Sequence, residues 1–410
     1  MSTALRHIPQ NAVGRYSPNA LEGFEACKLL RISTFLTYSS AQMSEAQPNA
    51  IADYDYILSA VQLRFTYTEH YLREDGTVEF KIDSLAGAKE KFKDLLAEIK
   101  SRRLVALLRQ VSGSVILAVG KDVLRVEYSR RTPVLLLIAT LGTIAVDGWF
   151  RTGRLPGQNS LWITLLYTLA VIGIIGTHEL GHKLISRIHN MRSSQPYFIP
   201  GIPSVIPTMG AVITSAEPPV NRDSLFDLGL SGPIAGLVVT FFVAIAGALT
   251  SYLLPEAIVQ REVQAGNLQL VGGLDLFTAY LLNIFGLGRP PTGMDVIISP
   301  LVYASSLGFL ITFLNLLPAW QLDGGHIARA VLDRSRHRIA TYASVALLFF
   351  LGFYFMALII FFLSTRSAEM RPLDDISPLS QKRKLAFIGV IVLAAVLYAI
   401  MIRNNPFFFR

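Results

Sequence analysis

Five residues inside an apolar run carry the strongest chemical signal in the chain. They are His178-Glu179-Leu180-Gly181-His182, an H-E-x-x-H pattern. On a helix, positions i and i+4 share a face, so both imidazoles can grip one metal ion. Glu179 sits about 100° round the helix from His178. That is a poor place for a ligand and a good one for holding a water beside the metal. Zinc lowers the pKa of a bound water, and a carboxylate next to it can take the proton during attack on a carbonyl. Chance also produces such patterns in soluble chains. Here the setting counts against chance, because ionisable residues deep in an apolar run are expensive unless they share a partner. One Zn2+ per chain is the partner expected.

A catalytic zinc takes three protein ligands and keeps a fourth position open. Few downstream residues can supply the third. Asp323 closes a later apolar run, in Asn315-Leu316-Leu317-Pro318-Ala319-Trp320-Gln321-Leu322-Asp323-Gly324-Gly325-His326. If the two runs are parallel spans, Asp323 and His178 lie at similar depth. His326 is a rival ligand, and Asp275 and Asp295 are weaker ones. A plain turn made by Asp323-Gly324-Gly325 is the alternative to ligation.

The elements that must position these residues read as membrane spans. Of 410 residues, 52% are hydrophobic and only 16% charged, against about 25% charged in a soluble domain. Six apolar runs are expected to cross the bilayer, near 132–149, 160–188, 225–254, 300–322, 339–363 and 385–402. The fold class is therefore an α-helical polytopic membrane protein of about six transmembrane helices, with a small α+β cytoplasmic N-terminal domain. The expected divisions are a loosely ordered segment 1–50, a soluble domain 51–131, a transmembrane domain 132–402 and a tail 403–410.

Within 1–50, a short helix is expected near Leu21–Leu30. In the soluble domain, Gln62–Tyr71 and Thr77–Ile82 read as strands around a Glu74-Asp75-Gly76 turn. Ser84 is expected to cap a helix to about Lys100. Leu104–Arg109 and Ser114–Val119 read as two more strands around Ser112-Gly113.

Flanking charge sets topology. Arg130 and Arg131, then Lys183, Arg187, Arg192 and Arg222, then Arg329, Arg334, Arg336 and Arg338 fall on one side. The segment 364–384 breaks this rule: it holds Arg366, Arg371, Lys382, Arg383 and Lys384, yet six spans place it outside. The net charge of +8 lies beside apolar runs rather than in one patch, so nucleic acid is not an expected partner. The single Cys27 permits neither an internal disulfide nor a cysteine zinc site. The first forty residues lack a long apolar core, so no cleavable signal peptide is expected.

Together these motifs resemble the site-2 protease family of intramembrane zinc metalloproteases, peptidase family M50. The similarity rests on His178–His182 within a span and on Asn315-x-x-Pro318-x-x-x-x-Asp323-Gly324 far downstream. Phe226-Asp227-x-Gly229-x-Ser231-Gly232-Pro233-x-Ala235-Gly236 also matches. The look is nearest to the EGY-type branch, which carries a soluble N-terminal domain. The resemblance implies His178, His182 and Asp323 as zinc ligands and Glu179 as the catalytic glutamate. It implies hydrolysis in or near the single transmembrane helix of a membrane-anchored protein, in regulated intramembrane proteolysis. A multi-pass protein of a prokaryotic plasma membrane is expected.

Supporting residues have two readings each. Gly232 and its neighbours let helices approach, and Pro233 could kink its helix. Asn315 could touch substrate, orient Asp323 or pack. The stretch Tyr197–Ala216 holds Pro200, Pro203 and Pro207 and cannot be a straight helix. It reads as a hairpin dipping into the bilayer, whose edge around Gly210 could pair with an unwound substrate. The rival reading of the whole chain is a metal transporter or sensor that uses the same ligands without hydrolysis.

Overall fold

A computed structural model describes residues 47–122, 129, 131–152, 155–214, 217–268, 274–366 and 370–402. The expected helix near Leu21–Leu30 and the tail 403–410 lie outside the described residues. The chain divides into two compact units.

The first unit is built on α1 (Gln47–Gln62), β1 (Tyr67–Leu72), β2 (Val78–Ile82), α2 (Ala88–Ile99), β3 (Leu104–Val111) and β4 (Ser114–Lys121). The four strands form one antiparallel sheet in the order β1-β2-β4-β3. Alternation puts Val78, Phe80 and Ile82 of β2 on the buried face. They meet Phe92, Leu95 and Ile99 of α2 and Ile57 and Val61 of α1. The turns at Gly76 (φ 80°) and Ser112-Gly113 (φ 49° and 83°) fall where expected. Two boundaries differ. The chain is still helical at Gln62, so the first strand begins only at Tyr67. Ser84 makes a local bond to the Ala86 N–H, and α2 starts after Gly87 in the left-handed region.

Two distant segments complete this unit, Pro218–Ser224 and Leu363–Leu379. The β3 edge bonds to the second of them, from Leu108 N–H to the Leu373 carbonyl at 2.9 Å. Leu373 N–H in turn donates to the Pro219 carbonyl at 2.7 Å. Arg109 reaches the carbonyls of Leu373 and Pro372 at 2.7 and 2.6 Å. Lys89 pairs with Asp223 at 2.6 Å.

The second unit holds α3 (Arg131–Thr152), α4 (Ser160–Ile188), β5 (Tyr197–Ile202), β6 (Ile206–Val212) and α5 (Arg222–Leu249). Then come β7 (Tyr252–Pro255), α6 (Glu256–Gln264), α7 (Leu276–Ile284), β8 (Met294–Ile297), α8 (Pro300–Asn315) and α9 (Asp323–Val331). Last are α10 (Arg334–Phe350), α11 (Tyr354–Arg366) and α12 (Gln381–Ile402). β5 and β6 form an antiparallel hairpin, as do β7 and β8.

Among the described residues, four helices are long and apolar enough to cross a membrane: α3, α4, α5 and α12. The expected count of six changes in two places. The fourth run yields the 16-residue α8, which spans about 24 Å, short of a ~30 Å hydrocarbon core. The fifth run is not one helix. It breaks at Gly352, whose φ of 84° suits glycine and stops a right-handed helix. α10 and α11 then run antiparallel. Phe349 and Tyr354 meet at 4.9 Å near the turn, and Tyr342 and Phe361 meet at 6.4 Å farther along both helices. Hydropathy records composition but not direction, so it reads a helical hairpin as one span.

This reversal bears on the charge anomaly. α11 leaves the hairpin on the side where α10 entered, and Leu363–Leu379 joins the unit of the N-terminal sheet. The segment after α11 is therefore expected on the same face of a membrane as the N-terminal sheet, with which it shares a unit. Cysteine labelling tests this. With Cys27 replaced by serine, Glu90→Cys and Pro378→Cys will react from the same face of a sealed vesicle. Labelling from opposite faces would sink the assignment.

Candidate metal centre

The α4 helix starts with Asn159, whose side chain accepts from the Trp162 N–H. It then runs 29 residues to Ile188, long enough to span with tilt. Its lipid-type face exposes Leu161, Leu165, Leu169, Leu180 and Leu184, while His178 and Glu179 are buried.

Three helices meet at these residues. α4 and α8 run parallel: Tyr303 lies beside Tyr167, Gly308 beside Ile174, and Asn315 beside His178. α5 runs antiparallel to both. Gly236 faces His178 and Gly232 faces His182, while Gly247 faces Val302 and Gly229 faces Asp323. A Cβ on Gly181 would stand 2.6 Å from the Ser231 carbonyl oxygen. The glycines are thus what permits this approach, as small residues do between membrane helices.

His178, His182 and Asp323 bring ligand atoms within 4.8 Å of one another, the metal-type group found among the described residues. His178 Nε2 lies 3.1 Å from Asp323 Oδ2, and His182 Nε2 lies 3.2 Å from Asp323 Oδ1. The two Nε2 atoms are 3.1 Å apart. Ligand atoms on a tetrahedral zinc, at bonds of about 2.0–2.1 Å, stand roughly 3.3 Å apart. The donor set and its spacing therefore fit zinc. His182 Nδ1 lies 2.9 Å from the Leu228 carbonyl. Donation there leaves Nε2 as the free lone pair, the arrangement that orients metal-bound histidines.

The rival ligands sit elsewhere. Asp275 caps α7, accepting from the Thr278 N–H and hydroxyl at 2.8 Å and from Ser306 at 2.6 Å. Asp295 lies in β8. His326 is outside the three-residue group and packs near Gly229. Of the supporting residues, Asn315 Nδ2 is 3.4 Å from His178 Nε2, and Gly232 abuts the His182 ring. Pro233 is buried inside α5. Gly210 lies in β6 with φ 93°, and its N–H donates to Thr208 Oγ1 at 3.0 Å.

Residues 166–359 match the family model described as Peptidase family M50. The match covers just under half of the chain. Among similar proteins is the probable zinc metalloprotease EGY2, chloroplastic, of Oryza sativa subsp. indica. It is 31% identical over 223 residues, covering 52% of this chain and 37% of the rice protein. The probable zinc metalloprotease EGY1, chloroplastic, of Arabidopsis thaliana is 28% identical, over 55% of this chain and 41% of its own length. The probable zinc metallopeptidase EGY3, chloroplastic, of the same plant is 23% identical, over 66% and 48%. The matched stretches thus span less than half of each relative. These M50 relatives are named as zinc metalloproteases of the EGY type, and the His-His-Asp group here is compatible with that metal. They are chloroplastic, which lends no support to a prokaryotic plasma membrane.

Sequence reading missed the parts of the centre that have no side-chain signature. The Leu228 carbonyl that holds His182 is one. Lys183 is another: it donates to the Ser194 carbonyl and the Gln195 amide oxygen at 3.0 and 2.9 Å. That fixes the base of the β5–β6 hairpin to the metal helix. Its signal was its place directly after His182.

Proposed function

We propose that this chain is an intramembrane zinc metalloendopeptidase that cuts membrane-anchored proteins in or near a single transmembrane helix. The observation that carries the reading is the convergence of His178 and His182 of α4 with Asp323 at the start of α9. In this reading those three residues hold one zinc ion. Zinc, when bound, supplies Lewis acidity for amide hydrolysis. Glu179 takes the proton of the attacking water and returns it to the leaving amine. The Asn315 amide, beside His178, donates to a substrate carbonyl.

The β5–β6 hairpin supplies the surface that meets substrate. It exposes Ile199, Ile202, Val205, Ile206, Met209 and Val212. Phe198 packs 4.0 Å from the Cβ position of Gly176, two residues before His178. A two-stranded hairpin leaves outer backbone groups unpaired, and a bilayer offers them no water. An unwound substrate segment satisfies those groups by adding a strand. The first unit and the basic flanks face the cytoplasm or its organellar equivalent, as positive flanks do.

The test uses the full chain reconstituted with a single-span substrate. Cleavage inside the span will stop on chelation and return with added zinc, the cut mapped by mass spectrometry. Cleavage that survives chelation, or that falls only in a soluble tail, would overturn the proposal.

A further inference from the structure

The tip of the β5–β6 hairpin is tied to a buried carboxylate one helix away from the metal. Asp147 lies in α3 and is fully buried (0% exposed). Its Oδ2 accepts from Arg151 Nε at 2.8 Å and from the Tyr167 hydroxyl at 2.6 Å. Its Oδ1 accepts from the backbone N–H of Ser204 at 2.8 Å and from Arg151 Nη2 at 3.3 Å. Ser204 sits in the turn between the strands with φ 69°, a left-handed conformation that a serine adopts only when something holds it. One turn back along α3, the Thr143 hydroxyl is shared between the Pro207 carbonyl and its own helix's Thr140 carbonyl, both at 3.0 Å, and Oγ1 accepts from the Gly201 N–H at 3.4 Å.

The same cluster reaches the helices of the metal centre. Tyr167 belongs to α4, eleven residues before His178. The Arg151 guanidinium lies 3.7 Å over the ring of Tyr303 in α8, a cation–π contact. A carboxylate and a guanidinium pair internally here, so the cluster carries no net charge into the bilayer. Four elements thus share one polar knot: α3, α4, α8 and the hairpin tip. None of these residues belongs to the His178, His182 and Asp323 group.

We propose that Asp147 is a positioning residue. Through Ser204, and with Thr143 beneath, it fixes the hairpin against α3 and so sets how substrate is engaged. This rests on the reading in which the hairpin meets substrate. Lys183 holds the base of the hairpin and Asp147 holds the tip, leaving the two strands stretched between fixed points.

The experiment compares Asp147→Asn and Thr143→Val in the full chain, each with Cys27→Ser and a spin label at Val205→Cys. Thr143→Val removes only the neutral anchor and preserves shape, so it reports even if the first variant misfolds. Both variants will keep one zinc per chain. KM for a single-span substrate will rise about fivefold or more in Asp147→Asn and about twofold in Thr143→Val, with kcat within twofold. The label will gain mobility in the same order. Unchanged KM and mobility would overturn the proposal, as would loss of zinc with KM unchanged. Proline substitutions at Ala211 and Val212 separate the two levels. If they leave cleavage intact, the hairpin reading fails. If they abolish it while the Asp147 and Thr143 variants behave as wild type, only the positioning role fails.

Discussion

Glu179→Gln will lose about three orders of magnitude in cleavage rate while keeping its zinc. General-base catalysis contributes typically ~10²–10⁴-fold, and glutamine cannot take a proton at neutral pH. The exchange preserves volume at a buried position, and none of the three clustered ligand atoms belongs to Glu179. Metal content should therefore stay at the wild-type level by mass spectrometry, with a single-span substrate accumulating uncut. The same variant separates the protease from a metal transporter or sensor, which needs the ligands but not this carboxylate. Zinc retained with cleavage within tenfold of wild type would refute the assigned role.

Gly232→Ala is the second large effect, and it works through packing rather than chemistry. The added methyl would overlap His182 Nε2, the atom facing Asp323. Parting the helices would give up the close packing of Gly181 against Ser231 and Ala235 beside it, so turning one side chain is the smaller change. The imidazole turns, which also breaks its bond to the Leu228 carbonyl. Disturbing the groups that orient a metal ligand typically costs about 10–100-fold in metal affinity, and displacing the ligand itself should reach the upper end. Competition with a chromogenic chelator measures this. Gly142→Ala, where a Cβ meets nothing within 4 Å, is the control and should bind zinc as wild type does. Wild-type affinity in Gly232→Ala would mean that α4 and α5 do not pack as described.

Some of this architecture was readable from residues alone. The i, i+4 spacing of His178 and His182 needs only the period of a helix. The prolines of 197–216 exclude a helix, and their apolar neighbours indicate a hairpin, which β5 and β6 form. Asp147 could have been singled out, since an acidic residue inside the first apolar run is costly without a partner. Arg151, four residues on along the same helix, could have been paired with it; Tyr167 and Ser204 could not, because they come from another helix and from the hairpin turn. The fifth run misled for a related reason: a single glycine at φ 84° reverses the chain without changing its hydropathy.

What the sequence determined by itself was local: the donor types, their helical spacing, the apolar runs and the charge beside them. These follow from periodicity and transfer free energy, which act residue by residue. The tertiary structure decided which residues meet. It put the Asp323 carboxylate 3.1 and 3.2 Å from two imidazoles 141 or more positions earlier, and a glycine against one of those rings. It also turned 339–363 back on itself and joined Leu363–Leu379 to the unit of the N-terminal sheet. Such contacts arise where packed helices leave no other space, and no single segment carries that information.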